Sequence, residues 1–183
     1  MTKEQKRLLD RRFREAAEQQ PELEVLRRLL LGLGGVHLVA PPSPDAALPL
    51  LIDAGFVMAG PVMRRTMKKG QCHINVAEIW AGKQHGLVGI GSGYSLSDDG
   101  LWREHSWGLR REGVLETTVS RVKYFGVLLQ HGDADWFATA NLTRAGLLSI
   151  SCSQNRTTPQ PSARRSLPTF RSRALLRANF CEQ

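Results

Sequence analysis

Gly70-Gln71-Cys72-His73-Ile74-Asn75-Val76-Ala77-Glu78-Ile79-Trp80 is the segment on which the fold of this 183-residue chain turns. From Ile74 to Ala81 only Asn75 and Glu78 are polar, and Gly82 follows as a stop. A short helix that is apolar almost all round has to be covered on nearly every side, so the segment predicts a helix at the centre of a domain. Cys72 falls in its first turn. There the unpaired N–H groups and the positive end of the helix dipole favour a thiolate over a thiol.

Beyond this helix the pattern becomes that of strands. Leu87–Ser97 reads as a strand punctuated by glycines 89, 91 and 93. The spacing lacks the third glycine of a dinucleotide loop, and Ile90 and Tyr94 stand where a nucleophile elbow around Ser92 needs glycine, so these glycines predict close backbone packing. After a turn at Asp98-Asp99-Gly100, the residues Leu101, Arg103, His105, Trp107 and Leu109 share one strand face by period two. Trp102, Glu104, Ser106 and Gly108 share the other, which places His105 on the inward side. Val114–Thr118 is the next strand, with Glu116 in its middle. Parity decides whether Glu116 meets His105, because a one-residue slip sends a side chain to the opposite face. A four-residue loop of Arg110–Gly113 pairs Trp107 with Glu116 and leaves His105 diagonal to it, at roughly 7–8 Å between backbones. A two-residue Glu112-Gly113 loop keeps the parity but moves the two further apart; the four-residue loop is the expectation.

Upstream, residues 3–20 carry Leu8, Leu9, Phe13, Ala16 and Ala17 along one helical side, and a second helix runs from Glu22 to the Gly34-Gly35 stop. Both are expected to pack on the domain. Val36–Ala40 suggests a short strand, Pro41-Pro42-Ser43-Pro44 a loop, and Asp45 a cap for a helix over Ala46–Ala54 in spite of Pro49. Phe56–Met63 reads as extended. Arg64, Arg65, Lys68 and Lys69 make a basic loop before Cys72, either a solvated surface or an attractor for an acidic substrate. Past Thr118 the spacing of Val119, Val122, Phe125 and Leu129 suits helix or strand, and Asp133 or Asp135 can cap a helix reaching about Arg144.

A 42% hydrophobic share and this length suit one ordinary domain. The formal charge of +8 is uneven. Residues 149–183 hold six arginines and one glutamate, whereas residues 29–148 hold eleven cationic and ten acidic side chains. The core therefore lacks the basic face of a nucleic-acid binder, and any such contact is expected to be weak and through the tail. The tail, rich in Ser, Thr, Arg, Pro and Gln, reads as disordered. No apolar run is long enough for a membrane span and the charged N-terminus is no signal peptide, so a cytoplasmic protein without membrane contact is expected. Cys72, Cys152 and Cys181 are odd in number and lack metal-type spacing, so free thiols are predicted. A zinc site from Cys72, His73 and His85 would lack a fourth ligand, and neither metal nor cofactor is expected.

A thiol enzyme needs a thiolate, a histidine to deliver a proton, a group orienting that histidine, and donors for an oxyanion. Cys72, His105 and Glu116 fill the first three roles, and the Cys72 N–H with Gln71 is the candidate donor pair. His73 points about 100° round the helix from Cys72 and is a supporting group, as are Asn75, one turn on, and Trp107. The order resembles the papain-like and transglutaminase-like cysteine enzymes, with Cys on a central helix, His on a strand and a carboxylate or amide on the next. His105-Ser106-Trp107 and Glu116-Thr117-Thr118 are similar to the His-x-Trp and Asp-x-Thr pieces of transglutaminase-like domains, with Glu116 standing in for the usual Asp. The resemblance covers about residues 66–120. It implies acyl chemistry, hydrolysis or acyl transfer, on a small-molecule or peptide substrate; the alternative is a non-catalytic binding or regulatory domain of the same fold, in which each of the three residues is merely structural. The fold expected is α+β over residues 1–148, with an N-terminal helical part at 1–33, a central buried helix packed on an antiparallel sheet, and the tail at 149–183.

Overall fold

The structure is a computed structural model and describes residues 2–147. The expected tail at 149–183, with Cys152 and Cys181, lies outside the described residues. Helix α1 (Lys3–Gln19) opens on a capping box in which the Thr2 hydroxyl accepts from the Gln5 N–H and the Gln5 side chain accepts from the Thr2 N–H. It buries Phe13, and α2 (Glu22–Gly32) buries Leu23, Leu26 and Leu30 at helical spacing. After the glycine pair comes the two-residue strand β1 (His37–Leu38). Helix α3 (Leu48–Ala54) begins later than expected. Asp45 Oδ1 accepts the Ala47 N–H at 2.8 Å in a local turn, and Pro49 then falls in the first helical turn, where its missing N–H costs nothing.

The extended segment after Gly55 breaks at Gly60 into β2 (Phe56–Met58) and β3 (Val62–Arg64). The central helix, α4 (Cys72–Ala81), has the expected limits. Then follow β4 (Leu87–Leu96), β5 (Leu101–Arg110), β6 (Gly113–Glu116), β7 (Lys123–Leu129) and α5 (His131–Arg144). The segment whose type the spacing left open is thus a strand.

All seven strands form one sheet in the order β2-β7-β4-β5-β6-β3, with β1 against β5. The α+β class is the expected one, but the sheet is mixed rather than antiparallel: β1 runs parallel to β5 and β3 parallel to β6. Parallel neighbours need long crossovers. The chain between β3 and β6 supplies one through α4, β4 and β5, a pairing that local periodicity does not encode. Strands β2 and β3 lie at opposite ends of the sheet, yet residues 59–61 alone join them. Met58 to Val62 spans at most roughly 14 Å, whereas six strands laid flat extend about 24 Å, so the sheet curls until its edges approach.

The curl gives the sheet two buried faces. Phe13, Leu26, Leu30, Val76, Ala77, Tyr94, Trp102 and Phe137 belong to the larger core between sheet and helices. Met58, Trp107, Val114 and Tyr124 form a smaller one. Strand β5 is therefore covered on both sides, which corrects the expectation of a single inward face: Trp102 closes the larger core and donates its indole N–H to the Gly34 carbonyl at 2.7 Å, while Trp107 fills the smaller. Gly91 is required there by space, since a Cβ at that position would lie 2.2 Å from the Trp107 ring.

Candidate active site

The approach to Cys72 is fixed by the strand that carries Glu116. Past β3 the chain stays beside β6, with the Arg65 N–H donating to the Glu116 carbonyl at 2.9 Å and the Met67 N–H to the Thr117 carbonyl at 2.8 Å. Buried Asn75 then donates its Nδ2 to the Lys68 carbonyl at 2.8 Å, tying the basic loop to the first turn of α4. The first helical bond joins the Asn75 N–H to the Gln71 carbonyl. The N–H groups of Cys72, His73 and Ile74 precede it, in the turn that has no intrahelical acceptor. Cys72 is a free thiol only 9% exposed. Gln71, expected to help at an oxyanion, has an exposed side chain that caps nothing.

His105 and Glu116 are brought together by the register Gly108↔Leu115, Leu109↔Val114 and Arg110↔Gly113. Extended by one pair it sets Trp107 opposite Glu116, as the parity argument requires, and the extra pair at Arg110 and Gly113 tightens the loop to Arg111-Glu112. Gly113 is held at φ 151°, and a Cβ there would sit 2.2 Å from the Pro61 carbonyl oxygen. His105 Nε2 lies 2.9 Å from Glu116 Oε2, and both side chains are almost wholly buried. Glu116 Oε2 also accepts from the Tyr124 hydroxyl at 3.0 Å, while Oε1 accepts from the Thr118 N–H at 2.7 Å and its hydroxyl at 2.8 Å. Four donors thus hold one carboxylate in one orientation. Trp107 and Tyr124 pack together, ring centroids 5.0 Å apart, on one side of the imidazole, stacked at 6.0 and 6.4 Å from its centroid, and the Trp107 indole N–H is taken up by the Met58 sulfur.

The charges support one another against burial. Burial pushes the Cys72 thiol up, but the neighbouring His105 and His73 rings, with their positive charges, outweigh it and bring the thiol down to about 5. Burial likewise works against the His105 cation, and the neighbouring Cys72 together with the hydrogen bond to Glu116 raises it above its ordinary value. Glu116 is disfavoured as a carboxylate by burial, yet His105 and Thr118 hold it down to about 2. With Nε2 committed to Glu116, Nδ1 is the His105 nitrogen left for the thiol.

His73, expected as a supporting group, reaches strand β5. Its Nδ1 lies 2.8 Å from the Ser106 hydroxyl and its Nε2 3.8 Å from Glu104. Burial lowers this ring's affinity for a proton, but Cys72 and Glu104 raise it to about 9. A cleft of about 700 Å³ opens over the group, lined by Cys72, His105, Glu104, Lys69, Thr118 and Arg121 among others. Among the described residues no cluster of three or more His, Cys, Asp or Glu could hold a metal ion, and no helix is long and apolar enough to cross a membrane.

No protein-family model, curated protein or solved structure matches the chain. The site is therefore read from its own geometry. That geometry gathers Cys72, His105, Glu116, His73, Asn75 and Trp107 and leaves Gln71 outside. Sequence reasoning missed Tyr124, because the type of its segment was open, and Glu104, because strand alternation sets it on the face opposite His105. Thr118, two residues past Glu116, was the signal for the carboxylate's local clamp.

Proposed function

We propose that the protein is a cysteine-dependent hydrolase or acyltransferase, working as papain-like and transglutaminase-like enzymes do through Cys72, His105 and Glu116. The observation that carries this reading is the buried His105–Glu116 pair at 2.9 Å, with the opposite imidazole nitrogen left for a thiol whose proton affinity is depressed. Cys72 and His105 open on one cleft, which supports a catalytic over a merely structural role.

In this scheme the Cys72 thiolate attacks a carbonyl carbon, forming a C–S bond and an oxyanion. The N–H groups of the first turn of α4 face the developing charge, assisted by the helix dipole. As the bond to the leaving group breaks, His105 passes its proton from Nδ1 to that group, and Glu116 keeps the ring oriented. Water or another nucleophile then gives its proton to His105 and attacks the thioester. The C–S bond breaks and the thiolate–imidazolium pair returns. His73 lends a second positive charge to the resting thiolate.

The test is a brief incubation with an activated acyl ester followed by mass spectrometry of the intact chain and its peptides. One acyl group on Cys72, absent from Cys72→Ala and long-lived in His105→Ala, is the expected result. Acylation spread equally over other nucleophiles, or unchanged in Cys72→Ala, overturns the proposal.

A further inference from the structure

The cleft over Cys72 carries an unmatched guanidinium. Arg121 and Arg103 converge on one hydroxyl, each donating Nη1 to Ser97 Oγ. Arg103 is matched further, by a two-pronged pair with Asp99 at 2.9 and 2.7 Å. Arg121 is not: among the described residues Ser97 is its hydrogen-bond partner, and its Nε is buried with no acceptor at all. A guanidinium offers five donors in a fixed fork, and a partly buried one left with so few acceptors is suited to an anion that arrives from solution. Lys69, at the end of the basic loop before Cys72, lines the same cleft and adds a second cation. The acidic groups on the cleft wall are accounted for in part: Asp99 is engaged by Arg103 and Glu104 by His73, while Asp98 stands exposed at the turn.

Arg121 also sits near the reacting groups. Its charge acts on Tyr124, whose hydroxyl donates to Glu116, and it shares the cleft with Cys72 and His105. We infer that Arg121, steadied by Ser97 and assisted by Lys69, is a carboxylate-binding subsite, so that the substrate carries a negatively charged carboxylate beside the carbonyl that Cys72 attacks. This rests on the thiol-enzyme reading above. The basic loop then serves as the attractor of an acidic substrate rather than as plain solvated surface.

Two alkylating reagents that differ in charge test it on the full chain. Iodoacetate and iodoacetamide react alike, the Cys72 thiolate forming a C–S bond as iodide leaves, but the first carries a carboxylate and the second a neutral amide. The ratio of their rate constants at Cys72 reads the subsite, whereas the iodoacetamide rate by itself reads the thiolate. The ratio is expected to fall roughly tenfold in Arg121→Gln and to be largely kept in Arg121→Lys, the loss of one charge-assisted contact. In wild-type protein at fixed ionic strength, succinate is expected to slow iodoacetamide labelling saturably and the neutral diamide succinamide not to, a reading that needs no variant to fold. An equal ratio in wild type and Arg121→Gln, or no protection by succinate, overturns the subsite while leaving a fast iodoacetamide reaction to stand for the thiolate. Slow labelling by both reagents overturns the thiol-enzyme reading and the subsite with it.

Discussion

Replacing Glu116 with glutamine keeps the size of the side chain and removes its charge, and so isolates what the carboxylate does. The amide oxygen can still accept from the Thr118 N–H and hydroxyl, now at 2.7 and 2.8 Å. The amide nitrogen then faces His105 Nε2 and the Tyr124 hydroxyl, where Oε2 accepts at 2.9 and 3.0 Å. Two charge-assisted bonds are lost, each worth about 1.5–3 kcal/mol, and part returns as the tyrosine turns to accept. The net loss is about 3 kcal/mol of unfolding free energy, measured by urea titration at pH 7. The same change removes the anion that favours the His105 cation, so the Cys72 thiol moves back toward its ordinary value. A thiol at about 5 is about 99% ionised at pH 7, and one at the ordinary 9.0 about 1%, so the available range is roughly a hundredfold. With His73 still in place the variant falls inside that range, and iodoacetamide labelling of Cys72 slows roughly tenfold. A folded Glu116→Gln protein whose labelling rate against pH overlays the wild type refutes the coupling.

Glu116→Asp keeps the charge but shortens the reach; it is expected to hold Thr118, lose His105, and slow Cys72 labelling nearly as much as Glu116→Gln, as read by the same assay. Trp107→Ala empties the smaller core beside the imidazole and should cost about 3–5 kcal/mol in urea unfolding, whereas Gly91→Ala, whose new Cβ would lie 2.2 Å from the Trp107 ring, should lower the melting temperature by overpacking. Stability should depend on pH in two windows. Glu116 has a depressed value, so its contribution is complete above the ordinary 4.5 and is lost as the pH falls toward about 2; Glu116→Gln should flatten that acid limb. His105 has a raised value, so its own contribution is complete below the ordinary 6.5 and is lost as the pH rises through its folded value, while the lowered Cys72 value acts in the opposite sense between about 5 and 9.0; the His105 share is read as the difference between wild type and His105→Ala.

The helix was legible because apolar residues dominate Ile74–Ala81 and a glycine follows, which specifies its limits and the burial of Val76, Ala77 and Ile79, although Glu78 and Ala81 stay exposed. The meeting of His105 with Glu116 was legible through parity, since alternation turns loop length into a choice of face, and the observed register keeps that choice even with a tighter loop. Parallel pairing of β3 with β6 was not legible, because two short segments separated by α4, β4 and β5 carry no local mark of each other. For the same reason the curl of the sheet, and with it the second buried face of β5, emerges only from tertiary closure. His73 was read as a supporting group from its angular offset on the helix, and its partners there, Ser106 and Glu104, lie on the strand face that alternation sets opposite His105.

The pH dependence of Cys72 alkylation by iodoacetamide, followed peptide by peptide with Cys152 and Cys181 in the same chain as comparators, tests the thiolate–imidazolium site most directly. A half-maximal rate near pH 5 at Cys72, far below the other two cysteines and displaced upward in His105→Ala, is the result predicted. Three cysteines that label at equal rates with a common midpoint near 9.0 contradict it.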